Sequence, residues 1–184
     1  MTLIETTYKV RQQITNRDRN YFHDHALNIP RHLSESKERV IVQLLAFALH
    51  ADEALKFVNE QSADDAPDLW IKDVTGNIEL WINIGLPDEK LAHKACSLAK
   101  RVVIYSYGGH VADMWWSKNK GKLKLLKNLT VINLPLETSR SMEKMVQPNM
   151  QLNFTIQDGT TWLANQENTM EVELIMIKKP SIIF

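Results

Sequence analysis

An acidic, an amide and a lysine side chain are spaced in this chain so that they could meet at one end of a predicted β-hairpin. Residues 68–73 and 77–84 are β-rich runs separated by a short Val-Thr-Gly-Asn turn, which would place Asp68 across from Asn83. Lys94, nearly two turns into the helix predicted to follow, could point back over this hairpin. The three side chains would then form one polar site.

The charge distribution suggests what chemistry such a site could do. Ser34 to Glu89 holds 12 acids and 4 bases, whereas Lys90 to Asn128 holds 9 bases and the single acid Asp113. Two interpretations fit this asymmetry: two solvated faces of opposite sign, or an acidic metal pocket beside a phosphate-binding surface. The formal net charge of +0 by itself argues against a strongly nucleic-acid-binding protein.

The second strand of this hairpin positions the polar groups by strict alternation. One of its faces is wholly apolar and the other carries every polar group. The apolar set is Ile78, Leu80, Ile82 and Ile84, and the other set is Asn77, Glu79, Trp81 and Asn83. We therefore expect the apolar face to belong to a core and the polar face to be the candidate site.

A second acid, Glu38, lies on the inward face of a predicted helix. Ser34 is the expected N-cap, and the helix is predicted to run to about Leu49, with a bent continuation towards Asn59. An unpaired carboxylate on that face would be costly, so Glu38 needs a partner such as a cation or metal. The alternative is that the carboxylate of Glu38 bends out to water.

The remaining elements indicate a mixed α/β fold of the α+β type in one domain. The hairpin strand, a helix predicted to hold Pro87 in its first turn and the buried strand from Arg101 to Tyr107 form a predicted βαβ crossover with parallel pairing. Leu3 to Ile14 and Tyr21 to Ile29 are predicted to form an antiparallel hairpin at one edge of the sheet, and a small antiparallel sheet is predicted near the C-terminus. We expect a central mixed sheet flanked by helices, with extra antiparallel strands at the termini, in a single domain covering residues 1–184.

Several classes of protein are excluded or disfavoured by what the sequence lacks. It matches no P-loop, dinucleotide-binding glycine loop, zinc pattern or G-x-S-x-G elbow. The first residues lack a signal-peptide apolar run and no stretch approaches eighteen apolar residues. The lone cysteine, Cys96, excludes an internal disulfide and fits a reducing compartment. We expect a cytoplasmic protein without membrane association.

Two further pairs of residues allow a functional and a structural interpretation. His23 and His25 share a strand face and could bind metal, although such histidines are more often simple surface residues. Trp115 and Trp116, beside a lysine-rich segment, could be a base-stacking platform, although tryptophans at helical spacing more often belong to a core.

Long segments of the chain resemble the YaeQ family of small bacterial proteins. The resemblance covers nearly the whole chain and lies in the segments RHLSESKERVIVQLLAFAL, ADDAPDLW, IELWINIGLPDEKLAHKAC, WW and IQDG. It implies a fold similar to that of PD-(D/E)XK nucleases, which is the restriction-endonuclease-like fold with a metal site at its central hairpin.

The resemblance also implies roles for individual residues. Asp68 matches the aspartate of the PD element and would bind a divalent metal, and Glu38 matches the acid that the first helix often supplies. Asn83 stands where the family typically has glutamate, and Gly85 stands at the usual lysine position, a family trait. Lys94 then resembles a migrated replacement lysine. The implied catalytic set is thus Glu38, Asp68, Asn83 and Lys94.

This set implies metal-dependent hydrolysis of phosphodiesters in nucleic acid. Mg²⁺ or Mn²⁺ held by Asp68, Asn83 and Glu38 would polarise the phosphate, and an ammonium group would offset the developing charge. Asn83 keeps an oxygen donor but lacks the charge of glutamate, so we expect weaker metal binding than in relatives with glutamate there. The segment Lys90–Asn128 would contact the nucleic acid. The alternative is a non-catalytic nucleic-acid-binding or protein-binding scaffold on the same fold.

Overall fold

The computed structural model describes residues 6–31, 35–58 and 65–181, and these residues fold as a mixed α/β structure. Its elements in chain order are β1 (Thr6–Asn16), β2 (Tyr21–Arg31), α1 (Lys37–Leu49), β3 (Leu55–Phe57), β4 (Leu69–Lys72), β5 (Ile78–Ile84), α2 (Glu89–Leu98), β6 (Ala99–Ser106), α3 (His110–Leu123), β7 (Leu129–Asn133), α4 (Leu136–Glu143), β8 (Asn149–Gln157), β9 (Thr160–Ala164), β10 (Thr169–Val172) and β11 (Ile175–Lys178). The predicted fold class, a mixed α/β structure, is confirmed.

The chain divides into two compact units. The first comprises Met1–Ala51 and Glu137–Glu173, and the second comprises Asp52–Leu136 and Leu174–Phe184. The prediction of a single domain covering residues 1–184 stays a prediction. No helix in the described part of the chain is both long and apolar enough to span a membrane.

The first unit is built on a five-stranded sheet with the order β10-β9-β8-β1-β2. The predicted hairpin of β1 and β2 is confirmed, and β2 forms one edge. The predicted antiparallel strands β8, β9 and β10 join it through parallel pairing of β8 with β1. The buried Gln12 in β1 donates through Nε2 to the carbonyl of Leu44 in α1 at 3.0 Å, which fixes the helix against the inner face of this sheet.

The helix α1 begins two residues later than the predicted N-cap would place it, and it ends at Leu49. Ser36 is the N-cap, because its Oγ accepts from the Arg39 N–H at 3.1 Å, whereas Ser34 lies outside the described residues. The predicted continuation beyond Leu49 is wrong. A turn stabilised by the carboxylate of Asp52, which accepts from the Ala54 N–H at 2.8 Å, leads directly into β3.

The second unit is built on a six-stranded sheet with the order β11-β7-β6-β5-β4-β3. The predicted βαβ crossover is confirmed, since β5 and β6 pair in parallel across α2. The N-cap of α2 is Asp88, whose Oδ1 accepts from the Leu91 N–H at 2.8 Å, so Pro87 precedes the helix instead of lying in its first turn. One buried cluster on this sheet contains Trp81, Val102 and Ile104, with Ala92 and Ala95 of α2.

The turn between β4 and β5 is stabilised by one carboxylate. Asp73 Oδ1 accepts from the N–H and the hydroxyl of Thr75 at 2.8 and 2.7 Å and from the N–H of Asn77 at 2.9 Å. These bonds, the Thr75 hydroxyl foremost, lower the pKa of Asp73 to about 2. Gly76 has a φ of 90°, a conformation that favours glycine at this point of the turn.

Candidate functional site

The β4–β5 hairpin brings Asp68 to the position predicted for it. Leu69 pairs with Ile82, so the preceding Asp68 lies across from Asn83. The N–H of Asp68 donates to the carbonyl of Ile82 at 2.8 Å, and the N–H of Ile84 donates to Asp68 Oδ2 at 2.7 Å. The carboxylate of Asp68 is therefore held at the end of β5, beside Asn83.

Asn83 is buried, with only 5% of its surface exposed, and both ends of its carboxamide are engaged. Its Oδ1 accepts from Trp81 Nε1–H at 2.7 Å, and its Nδ2 donates to the carbonyl of Ala66 at 3.3 Å. The polar face of β5 is buried at Trp81 and Asn83, and its role as the candidate site stays a prediction. Both side chains lie in the interior, since α2 packs over the face that Trp81 occupies.

Lys94 is directed to the acidic loop that precedes β4. Its Nζ lies 3.2 Å from Asp65 Oδ2, and 46% and 68% of the two side chains are exposed. An ion pair this exposed contributes little to stability. The role of Lys94 as a migrated catalytic lysine stays a prediction.

Glu38 lies in α1 of the first unit and has partners there. Its Oε1 accepts from Ser139 Oγ at 2.7 Å and lies 4.0 Å from Arg140 Nε. The side chain is only 14% exposed, so the alternative that it bends out to water is wrong. The expectation that it needs a partner is met by a hydroxyl and a guanidinium group of α4. Convergence of Glu38 with Asp68, Asn83 and Lys94 of the second unit stays a prediction.

The donor set around Asp68 falls short of what a resident Mg²⁺ requires. Mg²⁺ binds hard oxygen ligands, mainly carboxylates, in octahedral geometry. Here the oxygen of Asn83 already accepts a hydrogen bond from Trp81, and one oxygen of Asp68 accepts from Ile84. Among the described residues, no three His, Cys, Asp or Glu side chains come together as metal ligands. The Mg²⁺ or Mn²⁺ site stays a prediction.

The two histidines of β2 form an aromatic cluster with a neighbouring tyrosine. The hydroxyl of Tyr21 lies 2.7 Å from His25 Nε2, and the rings of Tyr21 and His25 are stacked at 6.0 Å between centroids. Burial, followed by the nearby His23, lowers the pKa of His25, and Asp24 partly opposes this shift. Ring contacts join Tyr21, His23 and His25 in one cluster, and metal binding by the two histidines stays a prediction.

The basic segment Lys90–Asn128 contains an exposed lysine cluster. We use this term for Lys118, Lys120, Lys122, Lys124 and Lys127, which are all exposed on α3 and in the turn after it. Lys122 Nζ pairs with Glu89 Oε1 at 2.7 Å. The other four lysines form no ion pair with any residue that the structure describes.

The tryptophans on α3 pack against the interior of the second unit. Trp115 and Trp116 are half-buried and pack against the cluster around Trp81. Trp115 Nε1 also donates to the carbonyl of Pro87 at 2.7 Å, which ties α3 to the start of α2. The structural interpretation of this pair is confirmed.

Sequence reasoning missed a cavity in the first unit. A cavity of about 560 Å³, which we call the sheet pocket, lies on the outer face of the five-stranded sheet and includes Lys9 and Arg11 of β1. The alternation along β1 indicates that the side chains of Lys9 and Arg11 lie on the exposed face of the strand. The strands that complete the pocket are too distant in sequence for this alternation to reveal it.

Comparisons with known proteins agree over nearly the whole chain. Residues 1–174 match the model of the YaeQ protein family. The uncharacterized protein YaeQ of Escherichia coli (strain K12) is 39% identical over 181 residues, which cover 98% of this chain and 100% of that protein. The crystal structure of YaeQ protein from Xanthomonas axonopodis pv. citri has a TM-score of 0.90 and 36% identity, covering 96% of this chain and 99% of that chain. That of YaeQ protein from Pseudomonas syringae has a TM-score of 0.90 and 28% identity, covering 98% and 99%.

Proposed function

This chain belongs to the YaeQ family, and we propose that it binds nucleic acid through the lysine cluster without a catalytic step of its own. The observation that carries this proposal is that four of the five lysines of the cluster lack an ion-pair partner among the described residues. The cytoplasm, where nucleic acid is abundant, is the compartment that we propose.

The lysines of the cluster form two pairs along α3. Lys118 and Lys122 are four residues apart on one side of the helix, and Lys120 and Lys124 are four apart on a side about 200° away. Lysine ammonium groups attract phosphates without reading sequence, because contacts to the backbone carry no base information. We therefore expect weak binding that is independent of sequence and falls as salt rises.

The test is fluorescence anisotropy with labelled single-stranded and duplex oligonucleotides between about 50 and 200 mM salt. The variant combines Lys118→Ser, Lys120→Ser and Lys124→Ser. If each lysine neutralises one phosphate, the slope of log K against log salt falls by about 0.9 per lysine for duplex DNA. We expect the three substitutions together to lower the slope by nearly three times this amount.

A matched variant controls for net charge. Lys56, Lys144 and Lys179 are also exposed, and they lie outside the cluster. Their combined replacement by serine removes the same charge and should leave most of the affinity and the slope intact. Equal losses in both variants, or binding that does not respond to salt, would show that the cluster is not a nucleic-acid surface.

Metal-dependent hydrolysis at a variant PD-(D/E)XK site is the second candidate. It is favoured by one observation, the carboxylate of Asp68 held beside Asn83 at the end of β5. Lys94, in the same unit, would complete that site. Calorimetry with Mn²⁺ tests it, since Asn83→Glu should tighten binding and Asp68→Ala should weaken it. If neither variant changes the affinity for Mn²⁺, this candidate fails and the first is unaffected.

A further inference from the structure

The outer face of the five-stranded sheet carries a grid of six side chains, five of them polar. The pairing of β2, β1 and β8 aligns Asn28, Lys9 and Asn149 in one row across the sheet. The next row on the same face is Ala26, Arg11 and Gln151. Two cations therefore stand side by side along β1, roughly 7 Å apart, with amides on the neighbouring strands.

Chain segments on two sides of this grid turn it into the sheet pocket. Met145 and Gln147 line it before β8, and Asn165 to Glu167 line it between β9 and β10. Gln166 Nε2 donates to Gln151 Oε1 at 3.4 Å, which joins that loop to the floor. The volume of about 560 Å³ lies within the range of small-molecule sites.

The two cations of the floor are available to a ligand. The side chains of Lys9 and Arg11 are exposed, and neither forms an ion pair or hydrogen bond with any residue that the structure describes. Glu167 is the single acid among the described residues that line the pocket. The guanidinium of Arg11 can hold a phosphate by two parallel hydrogen bonds, and Lys9 adds a second positive charge.

The rest of the lining selects among phosphate-bearing ligands. Amide side chains both donate and accept hydrogen bonds, which suits the hydroxyl groups of a sugar. No aromatic side chain occurs among the described residues of the lining, so there is no surface on which a nucleobase could stack. We propose that the sheet pocket binds a small sugar phosphate, with Lys9 and Arg11 at its phosphate and the amides at its hydroxyls.

Calorimetry on the full chain tests the proposal with four probes: glucose 6-phosphate, glucose, inorganic phosphate and adenosine monophosphate. We expect glucose 6-phosphate to bind more tightly than each of the other three. If inorganic phosphate binds as tightly as glucose 6-phosphate, the pocket is an anion site only, and the proposed role of the amides is overturned. Tighter binding of adenosine monophosphate, or no binding of glucose 6-phosphate stronger than about 1 mM, would also overturn the proposal.

Two variants locate the binding. Lys9→Gln combined with Arg11→Gln should weaken the affinity for glucose 6-phosphate about tenfold or more, because hydrogen bonds to charged groups are lost. Arg17→Gln combined with Lys56→Gln removes the same charge from exposed positions outside the pocket and should have no effect. Circular dichroism confirms that each variant is folded. Equal effects of the two double variants would refute the assignment.

A third variant separates the contribution of the sugar hydroxyls to binding from that of the phosphate. Gln151→Leu removes an amide of the floor and leaves both cations in place. It should weaken binding of glucose 6-phosphate and leave any binding of inorganic phosphate unchanged. An unchanged affinity for glucose 6-phosphate would contradict the proposed contact of the amides with hydroxyl groups.

Discussion

Asn83→Ala tests whether Asn83 is a structural residue of the interior. The substitution removes the Oδ1 that accepts from Trp81 Nε1–H at 2.7 Å, and Trp81 is only 2% exposed. A buried donor left without an acceptor costs about 1–3 kcal/mol. The bond from Nδ2 to the carbonyl of Ala66 is longer, at 3.3 Å, so its loss adds less. We expect the free energy of unfolding to fall by about 2–3 kcal/mol in total.

A double-mutant cycle with Trp81→Phe isolates the hydrogen bond. Phenylalanine has no indole N–H, so Asn83→Ala should cost about 1–2 kcal/mol less when Trp81→Phe is already present. Urea unfolding followed by circular dichroism measures all four proteins. A coupling energy below about 0.5 kcal/mol would refute the inference that Asn83 holds the Trp81 indole.

Three further predictions follow from single side chains. Asp73 should titrate at about 2 in an NMR experiment, so the stabilisation from its turn is complete above its ordinary pKa of 3.8 and is lost as pH falls towards 2. A measured value near 3.8 would contradict the turn geometry. The lowered pKa of His25 means that the folded state binds fewer protons than the unfolded one, so stability should fall as pH drops below 6.5, and His25→Gln should remove this dependence. Lys178→Met should lower the free energy of unfolding by about 1–3 kcal/mol, because the carbonyls of Leu126 and Leu129 lose the ammonium donor that lies 2.7 and 2.8 Å away; unchanged urea unfolding would show that these contacts contribute nothing.

The second unit could be predicted well because its pairings are local in sequence. The turn around Thr75 and Gly76 pairs Lys72 with Ile78, and a register shift between Ile71 and Lys72 then places Asp68 across from Asn83. The crossover from β5 through α2 to β6 follows from the alternation of strand and helix patterns. In both cases the partners are adjacent elements of the chain.

The sheet of the first unit could not be predicted in full because its central pairing is remote. Lys9 pairs with Asn149, although 140 positions separate them in the chain. Periodicity reports which face of a strand is buried but not which strand lies beside it. The lining of the sheet pocket depends on that parallel pairing, so Lys9 and Arg11 were visible only as exposed residues of an edge hairpin.

The burial of Asn83 shows that alternation alone does not tell whether a polar side chain is exposed. A polar residue on an alternating strand faces either water or a partner that satisfies its hydrogen bonds, and the pattern is the same in both cases. The outcome at Asn83 was decided by α2 covering Trp81 and by the indole N–H two residues away. Glu38 obeys the same rule, because its need for a partner followed from the sequence while Ser139, 101 residues later, did not. A buried polar group that already has hydrogen-bond partners in the protein has a structural reason for its position, and at Asn83 the double-mutant cycle measures the energy of its bond to Trp81.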